Sequence, residues 1–257
     1  DMAHAILSYC RENRIVALSM NSFGTPEASE VIPGMGFDSS RRWEFVLPIQ
    51  GTEKELWDKI HGKKRNLIRK GQKEGLVVTH ETEKDRFLLF RKLATETYER
   101  KVSLGISYPP PGDVGAYQRM HDHLVASGLG RLYLAFKEER VVAGAFFVSF
   151  NGQIYYMLSS ASDEGLKTAA PDLILWTAIT DFQKEGFRLF NFGGLSESEL
   201  DGQPLEKSGL YHFKQRFSPE VLPCYKGNLV LRPIQHRAYS FVRTTKSLAG
   251  KMIRRNY

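Results

Sequence analysis

Apolar residues at Ala5, Ile6, Tyr9 and Cys10 recur at helical spacing within Asp1 to Asn13, and Arg14 to Met20 behind them reads as a short strand. A Gly-, Pro- and Ser-rich loop follows, then Arg42 to Pro48, which alternates like a strand. Thr52 is placed to cap a helix with Glu53 and Glu55 in its first turn, and Leu56, Trp57, Ile60, Leu67 and Ile68 predict an apolar face along a rod loosened at Gly62 and ended by Gly75. Leu76 to Thr79 predicts a short strand, and Asp85 to Lys101 an amphipathic helix built on Phe87, Leu88, Phe90, Leu93 and Tyr98. Three successive prolines in Ser107 to Asp113 break the helical pattern, which resumes over Tyr117 to Ser127.

From Gly130 the period becomes extended. Arg131 to Phe136, Val141 to Phe150 and Gln153 to Ser159, joined by turns at Lys137–Arg140 and Asn151–Gly152, predict a three-stranded antiparallel meander. Pro171 opens an apolar helix over Asp172 to Lys184, Gly186 stops it, and Phe187 to Phe192 predicts a further strand. Helices, meander, crossing helix and strand in that order describe an α/β sandwich around a mixed sheet. Residues 1–50 read as a partial segment, 51–232 as the main domain and 233–257 as a basic tail.

Length and composition support a packed core: 257 residues, 42% hydrophobic and 12% aromatic. No window offers the roughly 18 apolar residues of a membrane-spanning helix, and no basic head with an apolar run marks a leader, so a soluble intracellular protein is expected. Cys10 and Cys224 form no metal-like cluster, and neither a disulfide framework nor a structural zinc site is expected.

The net charge of +7 is concentrated. Lys59 to Lys73 holds seven basic and no acidic residues, and Arg232 to Tyr257 holds another seven with none acidic. Setting these fourteen aside leaves 22 basic against 29 acidic residues. Each run reads either as a solvated face or as a site for phosphates on a nucleic acid, a nucleotide-linked substrate or an anionic lipid surface.

Candidate chemistry centres on Gly193 to Phe217. Glycines 193 and 194, directly after a strand, let backbone approach a ligand closely, and Lys214 among Tyr211, Phe213 and Phe217 would supply a cation where water is partly excluded. The plain alternative is two core phenylalanines at helical spacing with a solvated lysine between them. No Gly-x-Ser-x-Gly elbow, phosphate loop or dinucleotide fingerprint occurs, and His121-x-His123, the closest histidine pair, would splay apart on a helix, so no metal is expected. The order of elements suits an acyltransferase of the GNAT class. Ser160 to Pro171, at the position of that class's coenzyme A loop, lacks the Arg/Gln-x-x-Gly-x-Gly/Ala pattern.

Several runs resemble, in the same order and over about 165 residues, the FemAB-type peptidyltransferases. They are Leu56-Trp with His61-Gly-Lys-Lys-Arg-Asn-Leu-Ile-Arg-Lys-Gly71 and on through Glu74-Gly75, Gly130 to Phe136, Val142 to Ala145, Tyr155-Tyr156 through Ser159, Phe190-Asn-Phe-Gly-Gly194 and Phe213-Lys214 with Phe217. The resemblance implies a GNAT-like mixed sheet flanked by helices, preceded by a remnant of a second GNAT-like domain. It implies transfer of an activated acyl group, from aminoacyl-tRNA in most members, to an amino group of a phosphate-bearing cell-wall or surface-polymer precursor, without a cofactor.

Carried over residue by residue, the resemblance makes Lys214 the cation at the reacting carbonyl and Phe213 the ring that fixes it. Arg100, Tyr108, Tyr156, Gly193 and Gly194 become precursor-binding positions, and Lys63, Lys64, Arg65 and Arg69 the tRNA or anion contacts. The family's usual Asp stands here as Asn191 and its usual Gly as Ser218. The alternatives that the residues leave open are an acyl-CoA dependent N-acyltransferase and a non-catalytic module that binds an anionic polymer or RNA. A cytoplasmic location is expected, with the basic tail available for peripheral contact at the inner face of the membrane.

Overall fold

The computed structural model describes residues 2–22, 32, 34–200 and 202–241. The chain divides into two compact units: Asp1–Trp43 with Ser196–Asp201 and Leu222–Tyr257, and Glu44–Leu195 with Gly202–Val221. The boundaries drawn from sequence, after residues 50 and 232, fall elsewhere.

In the smaller unit, α1 (Met2–Glu12) leads to β1 (Ala17–Asn21), which pairs antiparallel with β8 (Glu220–Val230), Ala17 opposite Val230 and Asn21 opposite Lys226. The sequence pattern does not predict β8, because Pro223 and Gly227 interrupt its alternation. Residues 233–241 are helical, and the rest of the basic tail, with Arg243, Lys246, Lys251, Arg254 and Arg255, lies outside the described residues.

The larger unit holds an α/β sandwich with helices on both faces of the sheet. Its strands are the end of β2 (Asp38–Pro48), β3 (Leu76–Glu81), β4 (Gly130–Lys137), β5 (Arg140–Phe150), β6 (Gln153–Ala161) and β7 (Leu189–Ser196), in the order β2-β7-β6-β5-β4-β3. Strands β3 to β6 pair antiparallel, whereas β6 and β7 run parallel. The period of two along β4 sorts its side chains. Leu132 and Leu134 join Phe87, Phe90, Tyr117 and Phe146 on one face, while Tyr133 and Ala135 join the larger core on the other. Gly144 is required where the sheet meets the helices, since a Cβ there would come within 2.7 Å of Phe90 and 2.8 Å of Leu134.

Helices α2 (Glu53–Lys59) and α3 (Gly62–Lys73) replace the single loosened rod, with the break at Ile60 and His61. Thr52 and Glu55 form a reciprocal capping box at the start of α2, and His61 Nδ1 accepts from the amide of Lys63 to cap α3. Helix α4 (Lys84–Ser103) precedes the proline loop. The helix expected over 117–127 divides into α5 (Val114–Met120), capped by Asp113, and a π-helical turn at His121–Val125. Between β6 and β7 come α6 (Asp163–Lys167) and the long buried α7 (Ala170–Lys184). After the short α8 (Glu197–Leu200) of the smaller unit, α9 (Gly209–Gln215) completes the larger one.

Candidate functional site

Parallel pairing between β6 and β7 runs from Gln153–Leu189 to Tyr155–Asn191, and the register ends there although both strands continue. The place where they part is lined by Tyr156 on one side and by Gly193 and Gly194 on the other. Asn191, fully buried, shapes the second edge. Its Oδ1 accepts from the Gly193 amide at 2.8 Å, and its Nδ2 donates to Glu44 Oε2 at 2.7 Å. Asn is needed here because the group facing Glu44 must donate, which an Asp carboxylate cannot do.

Lys214 reaches this edge from α9, whose amide at Tyr211 is capped by Ser208 Oγ. The lysine is only 4% exposed, and its Nζ donates to the Gly194 carbonyl at 3.2 Å. A Cβ built on Gly193 would lie 3.7 Å from Nζ and 3.7 Å from the Tyr156 carbonyl, so the four positions expected from sequence, Lys214, Gly193, Gly194 and Tyr156, do converge. Gly193 has φ +74°, a conformation that side chains resist.

The aromatic partner differs from expectation. The ring under the Lys214 ammonium is Phe45 from β2, at 5.2 Å, and not Phe213. Phe213 lies instead 4.0 Å from the ammonium of Lys64, with Phe217 at 4.5 Å. Sequence reasoning missed Phe45 because it is far from the Gly193–Phe217 stretch and carries no local signal beyond strand alternation.

Lys64 is also corrected. It is 1% exposed and ion-paired with Asp172 of α7, so it is not a solvated anion contact. At 100° per residue, Lys64, Ile68 and Gly71 share one arc of α3, the buried one, and Gly71 lets that arc approach Leu173 of α7, leaving 3.1 Å to an added Cβ. Burial lowers the pKa of Lys64, with the attraction of Asp172 opposing. The opposite arc carries Lys63, Asn66, Arg69, Lys70 and Lys73, all exposed. Arg65 is half-buried, 4.0 Å from Asp58, and the guanidinium of Arg69 lies 5.2 Å over the Trp57 ring.

Ser218, the second departure from the family's pattern, keeps the left-handed turn that a glycine would make: its φ is +59° and its hydroxyl donates to the Lys59 carbonyl at 2.7 Å. Together with the His61 amide bonding the Arg216 carbonyl at 3.1 Å, this ties the end of α9 to the break between α2 and α3.

Tyr156 stacks on Phe147 at 5.5 Å. Burial pushes its phenol up to about 12, a hydrogen bond with Ser159 opposes this, and the negative charge of Asp172 adds to it. The phenol is therefore a hydrogen-bond donor at neutral pH. Arg100 and Tyr108 occupy separate hollows along β6. Arg100 Nη1 donates to the Ala161 carbonyl at 2.9 Å and to Asp163 at 3.2 Å, in a cleft of about 890 Å³ between α4 and the β6–α6 turn. Tyr108 and its prolines cover a cavity of about 250 Å³ against Phe90, Tyr117 and Leu158.

In the segment in the place of a coenzyme A loop, four amides are engaged locally. Gly165 donates to Ser162 Oγ, Leu166 to the Ser162 carbonyl, Thr168 to that of Glu164 and Ala169 to that of Leu166. Asp163 and Glu164 add negative charge at its start.

The model of the acetyltransferase (GNAT) domain matches residues 59–215, and that of the FemAB family matches residues 6–103. No curated protein matches the sequence. Among solved structures, the crystal structure of FemX superposes with a TM-score of 0.68 at 15% identity, covering 91% of this chain and 78% of its own. The structure of L-PGS from Bacillus licheniformis gives 0.58 at 16% identity, over 90% of this chain and 74% of that one. The C-terminal domain of an Agrobacterium fabrum protein described as a lysylphosphatidylglycerol synthetase gives 0.60 at 11%, over 89% and 73%. At such identities these likenesses establish the fold. Among the described residues no helix is long and apolar enough to cross a membrane.

Proposed function

We propose that this chain, which belongs to the acetyltransferase (GNAT) domain family and within it to the FemAB/FemX type, moves an aminoacyl group from aminoacyl-tRNA to an amino group of a phosphate-bearing cell-wall or surface-polymer precursor. That it is a transferase follows from the family. The donor and acceptor are our reading.

One observation carries it: a nearly buried lysine held at the Gly194 carbonyl where β6 and β7 part. An acceptor amine attacks the ester carbonyl, forming the C–N bond, and the ribose oxygen leaves as the C–O bond breaks, taking up the proton that the amine gives away. Charge develops on the carbonyl oxygen during attack, and Lys214 Nζ, with Phe45 beneath it and little water around it, is placed to stabilise that charge. Tyr156 borders the opposite side through its backbone carbonyl, close to Gly193. Phe213 acts from behind, as the ring that seats α9 on Lys64. The precursor phosphate falls to Arg100 and Tyr108 in the hollows along β6.

The choice of donor is supported by the loop amides. An acyl-CoA pyrophosphate needs free backbone donors, and those of Gly165, Leu166, Thr168 and Ala169 are already engaged within a segment whose helix opens on the carboxylates of Asp163 and Glu164. The outward cations of α3 suit a polyanion such as RNA.

The test offers charged tRNA or acyl-CoA with an amine-bearing precursor and follows which donor is consumed. Charged tRNA should be used, and Lys214→Ala should cut kcat by about 100-fold or more with the circular dichroism spectrum unchanged. Consumption of acyl-CoA alone overturns the donor, and normal turnover in the variant removes Lys214 from the reaction.

A further inference from the structure

The cavity of about 250 Å³ behind the proline loop differs in kind from the charged cleft beside it. Phe90, Ala94, Ala116, Tyr117, Met120 and Leu158 form its walls, Pro109 to Pro111 its cover, and none of its lining residues carries a charge. Proline suits such a cover because it brings no N–H for an apolar space to leave without a partner. The far end of the cover is pinned. Arg91 Nε donates to the Gly112 carbonyl at 3.0 Å, and Asp113 Oδ1 accepts from the Ala116 amide at 2.7 Å. One wall has a polar group to spare: Tyr117 is 6% exposed, and among the described residues its hydroxyl makes no hydrogen bond.

A β-bulge links this cavity to the edge that Lys214 faces. Between β5 and β6 the pairing steps from Phe147 opposite Tyr156 to Phe146 opposite Leu158, so Met157 is an extra residue in β6. Without it Tyr156 and Leu158, two apart, would share a face of the sheet. With it Tyr156 stays with Phe147 against the larger core, while Leu158 turns with Phe146 to the face of the cavity. Ser159 borders the cavity about 10 Å along the strand from Tyr156, at roughly 3.3 Å per residue. The register with β7 has ended by then, so a ligand seated in the cavity reaches the lysine across the open border of β6.

We infer that this cavity is a specificity subsite for the acceptor: it takes an aromatic ring carried about 10 Å from the attacking amine, and the Tyr117 hydroxyl bonds a polar substituent of that ring. The inference rests on the reading that an acceptor amine attacks at Lys214. Size and chemistry select the ring. A cavity of about 150 Å³ suffices for benzene, so this one holds a substituted ring and is too small for a long hydrocarbon chain. Phe90 and Tyr117 already meet edge to face at 5.9 Å, an arrangement that a third ring extends, and the Met120 thioether is a favourable neighbour for it. A phosphate finds no cation inside and belongs at the rim, where Tyr108 is 39% exposed.

The experiment titrates the full chain with 6-phenylhexylamine, its 4-hydroxyphenyl analogue, hexylamine and dodecylamine. Binding is followed by calorimetry and by the carbon-13 methyl signal of Met120, assigned through its loss in Met120→Leu. The phenyl amine should bind about tenfold tighter than hexylamine and move the Met120 signal, and the hydroxyphenyl amine should gain about threefold more, a gain that Tyr117→Phe removes. Leu158→Gln, at a position 45% exposed, should weaken both ring amines about fivefold and leave hexylamine and the circular dichroism spectrum unchanged. Equal binding of the phenyl amine and hexylamine, an unmoved Met120 signal, or dodecylamine moving that signal at a lower concentration than the ring amines overturns the subsite. A hydroxyl gain that survives in Tyr117→Phe overturns the role of Tyr117. These readouts need no donor, so their failure leaves the transfer reading standing, and that reading fails separately if no donor is consumed with any amine.

Discussion

The ammonium of Lys64 sits 4.0 Å from the centre of the Phe213 ring, one residue before the lysine that faces Gly194. Adjacent residues of α9 thus serve opposite ends of one arrangement: Phe213 rests on the buried Lys64–Asp172 pair, and Lys214 projects to the edge of β7. Replacing Lys64 by Met leaves the Asp172 carboxylate in a largely buried setting without its cation, and urea denaturation should show a loss of about 3 kcal/mol or more. Adding Asp172→Asn should restore a good part of it. A single variant as stable as the parent chain would show that the pair does not hold α9.

Asn191 and Glu44 lead to a pH-dependent outcome. Asn191→Asp places two carboxylates at a 2.7 Å contact in a buried site, which raises the pKa of one of them. A carboxyl whose folded pKa lies above its unfolded value gives stability that is full below the unfolded value and lost as pH rises through the folded one. The melting temperature of the variant should therefore approach that of the parent near pH 4 and fall away between about pH 5 and 8. Parallel curves for the two proteins over that range would contradict the contact.

Tyr156 offers a spectroscopic check. Its phenol titrates near 12 in the folded chain and near 10 when unfolded, so the stability it adds is present below pH 10 and lost as pH climbs from 10 to 12. Tyrosinate absorbance at alkaline pH should lose one late-titrating group in Tyr156→Phe. Loss of an early-titrating group would mean that the phenol is open to water.

Gly193→Ala isolates backbone strain. A Cβ has room at 3.7 Å from both neighbours, but φ +74° costs an alanine roughly 1 kcal/mol, and relaxation would move the carbonyl next to the one that holds Lys214. Thermal unfolding should show that modest loss, accompanied by a fall in kcat larger than the stability change explains. Unchanged kcat would separate the Gly193 backbone from the reaction.

Much of this fold is legible in the chain because its helices carry strong stripes and its meander carries clear turns. Thr52 and Glu55, Pro171 and Gly186, and Asn151-Gly152 each mark a boundary the structure keeps, to within a few residues. Strand β8 escaped because Pro223 and Gly227 break its alternation. The meeting of Lys214, Gly193, Gly194 and Tyr156 in the candidate site was legible, since they stand close to one another in chain order or on neighbouring strands. It was illegible at Phe45 and Asp172, because long-range partners leave no trace in local spacing. Lys64 is the instructive case: its shared phase with Ile68 and Gly71 was visible, but a lysine within a run of seven cations reads as surface until a carboxylate 108 residues away is found beside it.

Helix α9 is seven residues long, about half of what an isolated helix needs to persist in water. It has no nucleus of its own and takes its order from the Lys64–Asp172 pair behind it, the β7 edge before it and the left-handed Ser218 at its end. The lysine it carries is therefore placed cooperatively with the core of its unit, and amide exchange in Tyr211 to Phe217 should follow the opening of α3 and α7 instead of preceding it.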